Sequence, residues 1–318
     1  MRAIQVTRFG GPDVLEVADV SEPEPSPGLE LIDVDAAGVN YADTHAVENS
    51  YLSAQELPFI PGAEVVGRTA DGRRICGFTP GSGGYAERAL VAPASFEVPD
   101  GVSDAAALGL LVQGLTAWHL LRTSARMVTG ESVVVHAAAG GVGSLAIQLA
   151  KIWGAGRVIA VASSEEKRAL ALELGADAAI DADPAGLTAA IREANGGKRV
   201  DIILEMVGGA TTDASLRALA PFGRLVVYGM ASREAATPIA PASLMTGSQS
   251  VIGFWLVDCM KVDPVGMVAQ PLAELVRMVA TGELRPLPGT SYPFEEARSA
   301  HEDMRARRTT GKVILTMR

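Results

Sequence analysis

Residues 136–151, HAAAGGVGSLAIQLAK, set Gly140, Gly141, Val142 and Gly143 between an apolar run and a helix-periodic one. Glycines there permit a tight turn and a close backbone approach, and a helix N-terminus offers unpaired amides and a favourable dipole. That chemistry suits a pyrophosphate. An ordinary glycine-rich turn is the alternative, but strands and helices go on alternating behind this one, which favours the binding reading. The next apolar run, VIAVA, ends at Ala162 and Ser163, where a dinucleotide without a ribose phosphate is usually gripped by an acidic residue. Small hydroxyls and a lysine instead suit an added phosphate, so Ser163 and Lys167 are assigned to NADPH. Lys167 as a solvated first-turn residue is the alternative, and Glu165 and Glu166 read as carboxylates facing a helix dipole. Two later strand ends, at Glu205-Met206-Val207-Gly208-Gly209 and Tyr228-Gly229-Met230, should rise towards a nicotinamide, their glycines letting the backbone pass close; each also reads as a plain strand-end turn.

These residues need a scaffold. From residue 132 onward, SVVVHAA, RVIAVA, RVDIILEMV and RLVVYG are predominantly apolar without alternation and are separated by amphipathic helices. Such strands belong to a parallel sheet covered on both faces, an α/β Rossmann-type domain. Before residue 112 the pattern differs: LELIDVDA, AEVVG, RRICGF and ERALV are short strands punctuated by glycine, and residues 22–27 are a proline-rich loop. A mostly β domain follows from that. AAALGLLVQGLTAWHLLRT is apolar on more than one face and reads as a buried helix, broken or bent near Gly114. The expected organisation is a β domain over 1–112, a nucleotide domain over 113–255, and a segment over 256–318 that completes the first.

Composition narrows the function classes. The 318 residues are 48% hydrophobic and 20% charged, which excludes a mostly disordered chain. A net charge of −10 without a basic stripe argues against nucleic acid. No uncharged, unbroken run suggests a membrane span and the N-terminus has no signal-peptide pattern, so no membrane partner is expected. Cys76 and Cys259 read as free thiols in a reducing cytoplasm.

GVNYAD, GAEVVG, GLTAW, HAAAGGVG, VVYG and the terminal GKVIL together resemble the medium-chain dehydrogenase/reductase superfamily, and within it the zinc-independent quinone oxidoreductase group. The resemblance covers essentially the whole chain. It implies a GroES-like catalytic domain, a nucleotide domain with a cleft between the two, and homodimers joined through edge strands, here residues 250–256. Asn40 stands where the zinc enzymes carry a metal cysteine, and Gly62-Ala63-Glu64 replaces their Gly-His-Glu, so no metal is expected. The resemblance also sets Asn40 beside the nicotinamide, to hydrogen-bond a carbonyl or the cofactor ribose, with Asp43 orienting the loop. It gives Tyr51 to the substrate pocket, as proton donor or as a half-buried loop aromatic, with His45 shaping specificity. Gln113 and Thr116 fall on the family's nicotinamide-facing helix. Phe254 and Trp255 are candidates for pocket wall, core or dimer packing. The function implied is NADPH-dependent hydride transfer to a small hydrophobic quinone or α,β-unsaturated carbonyl. An enoyl thioester reductase using Tyr51, and a non-catalytic NADPH-binding regulatory protein, are the alternatives.

Overall fold

Predominantly apolar runs form one sheet and alternating runs another in the computed structural model of the chain, which describes residues 1–317. In chain order the first elements are β1 (Arg2–Gln5), β2 (Glu16–Asp19), β3 (Glu30–Val39), α1 (Tyr41–Val47), β4 (Glu64–Thr69), β5 (Arg74–Phe78), β6 (Arg88–Val91) and β7 (Ser95–Glu97). A helix over Asp104–Ser124 follows, made of α2 (Asp104–Gly109), a wide π-type turn over Leu110–Gly114, α3 (Leu115–His119) and a second wide turn over Leu120–Ser124. The alternating elements come next: β8 (Ser132–His136), α4 (Gly141–Ile152), β9 (Arg157–Val161), α5 (Glu165–Glu173), β10 (Ala178–Ile180), α6 (Leu187–Ala194), β11 (Val200–Glu205), α7 (Gly209–Ala218), β12 (Leu219–Val227), α8 (Pro241–Met245) and β13 (Ser250–Gly253). The chain ends with α9 (Leu256–Val262), α10 (Gln270–Ala280), β14 (Pro288–Pro293), α11 (Ala297–Arg305) and β15 (Lys312–Thr316).

Contacts divide the chain into two compact units, Met1–Gln113 with Met260–Arg318, and Gly114–Cys259. In the first, β14-β15-β3-β4-β5-β7 lie in that order and β6 also pairs with β3. β15 runs antiparallel to β3, with Val313 opposite Val39 and Ile314 opposite Gly38, so the end of the chain lies beside its beginning. Ile32, Val34, Val39, Val65, Phe294 and Leu315 fill the core of this unit. In the second, β10-β9-β8-β11-β12-β13 form a parallel sheet. Its order reverses between β8 and β11, and ligands of open α/β sheets bind outside the strand ends at such a switch point. Val134, Ile159, Ile203, Ala214 and Leu225 lie in its core.

The architecture is the expected α/β one, with two differences in detail. The helix expected to bend near Gly114 is widened over Leu110–Gly114 rather than broken. It is long and apolar enough to cross a bilayer by length and composition alone, but most of it is buried within the protein. The edge strand expected over 250–256 ends at Gly253, and Leu256 already begins α9.

Candidate active site

In the second unit the glycine turn leaves β8 at the switch point. Ala137 takes φ +49°, and Gly140 precedes α4 as an N-cap without a side-chain hydrogen bond. Ser144 is the first residue of α4 to return its amide to the turn, donating to the Gly140 carbonyl at 2.9 Å. The amides of Gly141, Val142 and Gly143 therefore lie at a bare helix N-terminus, a fitting cradle for a pyrophosphate. Gly143 is obligatory: a Cβ there would stand 2.4 Å from the Ala137 carbonyl oxygen and 2.8 Å from Ala138 Cα.

Ser163 is exposed at the end of β9, and Ser164 caps α5 by accepting the Lys167 amide at 3.3 Å. Glu165 and Glu166 occupy the first turn of α5, as their dipole reading required. Lys167 is half-buried one turn in.

Two further strand ends interlock. Ala231 donates to the Met206 carbonyl at 2.9 Å and Ser232 to Val207 at 2.7 Å. Gly208 takes φ +89°, and a Cβ on Gly229 would meet Met206 Cβ at 2.9 Å. Glu205, which the sequence reading left as a mere strand end, organises this region. Its buried carboxylate accepts the amides of Val207 (2.5 Å) and Gly208 (3.1 Å) and the Thr212 hydroxyl (2.6 Å). The available signal was an acidic residue closing the apolar run Ile202-Ile203-Leu204. Burial, reinforced by Glu205, pushes the Tyr228 phenol above its ordinary range. Phe254 is half-buried and stacks on His119 with ring centroids 6.0 Å apart; Thr116 is buried in α3.

The first unit holds a separate polar centre. Asn40 ends β3 and leads into α1. Its Nδ2 donates to Glu64 at 2.8 Å and its Oδ1 accepts from Lys312 at 3.1 Å, while Lys312 and Glu64 form an ion pair that is essentially inaccessible to water. The Asn40 oxygen is thus already engaged by the ammonium. Neither Glu64 nor Lys312 was foreseen in this role. Glu64 also accepts the Val112 amide at 3.0 Å inside the wide helical turn, where a side-chain acceptor accounts for the irregular ladder. The next residue, Gln113, is buried and its Oε1 has no partner among the described residues. Tyr41, His45 and Tyr51 form an aromatic row with centroid spacings of 5.6 and 6.0 Å, and His45 Nδ1 lies 3.0 Å from the Ser50 hydroxyl. Tyr51 is half-buried, while His45 is buried.

Asp43 does orient the loop. It accepts the Asn40 amide at 2.8 Å and the Tyr85 hydroxyl at 3.0 Å, and that hydroxyl is 3.2 Å from His301 Nε2. Burial raises the Asp43 carboxyl to about 6, whereas burial lowers His301 to about 3 and His136 to about 4. An acid raised on folding stabilises fully below its unfolded pKa, and that contribution is lost as pH climbs through 6. The two histidines have the opposite slope in the same window, since the unfolded chain binds their protons more readily. The difference between parent and Asp43→Asn isolates the carboxyl. Urea unfolding should show the variant gaining about 2–3 kcal/mol on the parent between pH 4 and pH 8. A pH-independent difference would contradict the shift.

The donor set does not suit zinc. Carboxamide Asn40 and apolar Ala63 stand at the positions matched to metal ligands, and Glu64 is neutralised by an ammonium. Among the described residues, no three His, Cys, Asp or Glu side chains gather where a metal ion could bind.

The alcohol dehydrogenase GroES-like domain family matches residues 26–82, and the zinc-binding dehydrogenase family matches residues 141–273. The quinone oxidoreductase of Rattus norvegicus is 34% identical over 331 residues, covering 100% of this chain and 98% of its own. The quinone oxidoreductase of Thermus thermophilus, solved also in complex with NADPH, is 38% identical, with a TM-score of 0.88 and full coverage of both chains. That of Escherichia coli, complexed with NADPH, is 27% identical with a TM-score of 0.91, over 99% of this chain and 100% of that one. The chain belongs to the medium-chain dehydrogenase/reductase superfamily, in its quinone oxidoreductase group.

Proposed function

We propose that the chain is an NADPH-dependent oxidoreductase that reduces a small hydrophobic quinone or α,β-unsaturated carbonyl without a zinc ion. The observation that carries this reading is the bare N-terminus of α4, set at the switch point of a parallel sheet and followed by Ser163 and Lys167 after the next strand. When bound, NADPH supplies a hydride. The amides of Gly141, Val142 and Gly143 hold the pyrophosphate against the helix dipole. Ser163 and Lys167 hold the ribose phosphate, the lysine as a point charge. The strand-end backbone at Val207-Gly208 and Tyr228-Gly229, locked by Glu205, forms a rigid floor for the nicotinamide, with Thr116 and Phe254 as its side-chain neighbours. Gln113 offers the cofactor or acceptor a carbonyl oxygen. Asn40 donates to the acceptor oxygen as negative charge develops there, and Tyr51 is the candidate proton donor.

The test is oxidation of NADPH and of NADH by the metal-free protein, with a small quinone, an acyclic enone and an enoyl thioester as acceptors. Quinone or enone turnover with NADPH preferred is expected, and Lys167→Ala should cut that preference about tenfold, roughly 1.4 kcal/mol. Thioester preference that vanishes in Tyr51→Phe would move the function to enoyl reduction. Tight NADPH binding with no turnover would favour a regulatory binding protein.

The homodimer is proposed along β13, the last strand of its sheet. Beside it Phe222 is 74% exposed with φ +62°, its amide donates to the Gly247 carbonyl at 2.9 Å, and Met245 is 77% exposed. Large apolar side chains flanking an unpaired edge favour pairing with a second copy. Phe222→Asp keeps a residue tolerant of that backbone and should convert dimer to monomer in light scattering. A monomeric parent at micromolar concentration would refute the assembly. Two buried free thiols, Cys76 and Cys259, accord with a cytoplasmic setting.

A further inference from the structure

A carboxamide has two orientations of equal shape, differing only in which end carries the oxygen. At Asn40 charge selects between them. Lys312 can only donate and stands 3.1 Å from Oδ1; Glu64 can only accept and stands 2.8 Å from Nδ2. Both ionic partners are buried, with side chains 1% and 0% exposed, so water does not loosen the arrangement. They are also walled in. A Cβ on Gly38 would lie 2.4 Å from Glu64 Oε1 and 2.8 Å from Lys312 Cε, so the strand backbone packs directly onto the pair. The second oxygen of Glu64 holds the Val112 amide at 3.0 Å. That bond fixes the wide turn whose next residue, Gln113, keeps a buried Oε1 with no partner among the described residues.

We propose that the Glu64–Lys312 ion pair is a positioning device. It locks the Asn40 carboxamide so that one Nδ2 proton faces the acceptor oxygen, and it steadies Gln113 so that its bare carbonyl oxygen meets an N–H or O–H of the bound ligand. The inference rests on the reductase reading above, and it deepens that reading by assigning roles to two residues that touch neither substrate nor cofactor. Glu64 takes one of the two Nδ2 protons and leaves the other for a ligand. Were the carboxamide to flip, its oxygen would face the developing negative charge and repel it.

The test replaces both charges together, Glu64→Gln with Lys312→Met, so that no unpaired charge is left buried. The double variant should keep the parent's melting behaviour and bind NADPH within about twofold. Its kcat for a small quinone should fall about tenfold or more while KM changes little, as expected for loss of an interaction made in the transition state. Asn40→Ala should show a similar loss, and the three changes combined should lose no more than Asn40→Ala alone. An independent arm records the side-chain amide of Asn40 by 15N NMR. Two sharp, slowly exchanging proton signals are expected in the parent, and broadened, faster-exchanging signals in the double variant. Unchanged kcat, full additivity with Asn40→Ala, or a loss that merely follows melting would overturn the proposal. A parent that reduces no quinone would sink the functional reading alone; unaltered Asn40 amide signals in the double variant would sink the positioning role.

Discussion

Lys312→Met alone is expected to be among the most destabilising single substitutions in this chain, costing about 3–5 kcal/mol. The ammonium sits on β15, essentially inaccessible to water, against the Glu64 carboxylate and the Asn40 carbonyl oxygen. Removing it leaves a carboxylate with no counter-charge and no water, and that desolvation, rather than the lost attraction, dominates the cost. Gly38 and the packed backbone of β3 leave no room for the carboxylate to turn outward. At roughly 2–4 °C per kcal/mol for a unit of this size, Tm should fall by about 10 °C. The control is Glu64→Gln/Lys312→Met, which should recover most of that loss. Urea unfolding of the three proteins decides it. A single variant within about 1 kcal/mol of the parent would mean that water reaches the pair. An equally unstable double variant would mean that Lys312 matters through the packing of its stem.

What sequence reading reached and what it missed divides along sequence separation. The turn at Gly140, Gly141 and Gly143 was legible because strand, turn and helix are consecutive and each has its own periodicity. The parallel sheet was legible from runs too apolar to alternate. The partners of Asn40 were not, since Lys312 lies 272 residues away and nothing local marks it. Its place in GKVIL was visible as part of a motif, but the carboxylate it meets depends on β15 docking beside β3. Tyr85 and His301, 216 residues apart, were hidden for the same reason. The wide turn at Leu110–Gly114 could not be read from an all-apolar helix, because Glu64, a tertiary partner, holds an amide within it. The edge strand was read too long because Phe254, Trp255 and Leu256 prolong the apolar run, although Leu256 turns its burial to helix packing. Glu205 was nearer to hand: its partners lie two to seven residues on, and an acid closing the apolar run Ile202-Ile203-Leu204 is itself a cue.

The nucleotide turn supplies the second large effect. Gly143→Ala should weaken NADPH binding by about a hundredfold or more, roughly 2.7 kcal/mol, even if the variant folds. One methyl group is enough because its obstacles are backbone: the Ala137 carbonyl oxygen at 2.4 Å, Ala138 Cα at 2.8 Å and the Ala137 carbonyl carbon at 3.0 Å. None of these can rotate away as a side chain would, and Ala137 already sits at φ +49°, so the turn has little conformational slack. Relief must come from moving the first turn of α4 away from β8. That displaces the three amides proposed to cradle the phosphates, and they lose their common focus at once. Gly186→Ala is the matched control: nothing lies within 4 Å of its Cβ, and its φ of −103° suits alanine, so affinity and stability should hold or rise slightly. Titration calorimetry with NADPH, alongside circular dichroism, separates lost affinity from lost fold. A folded Gly143→Ala protein that binds NADPH like the parent would remove the α4 turn from the pyrophosphate site. The strand-end segments held by Glu205 would then be the next place to look for the nucleotide.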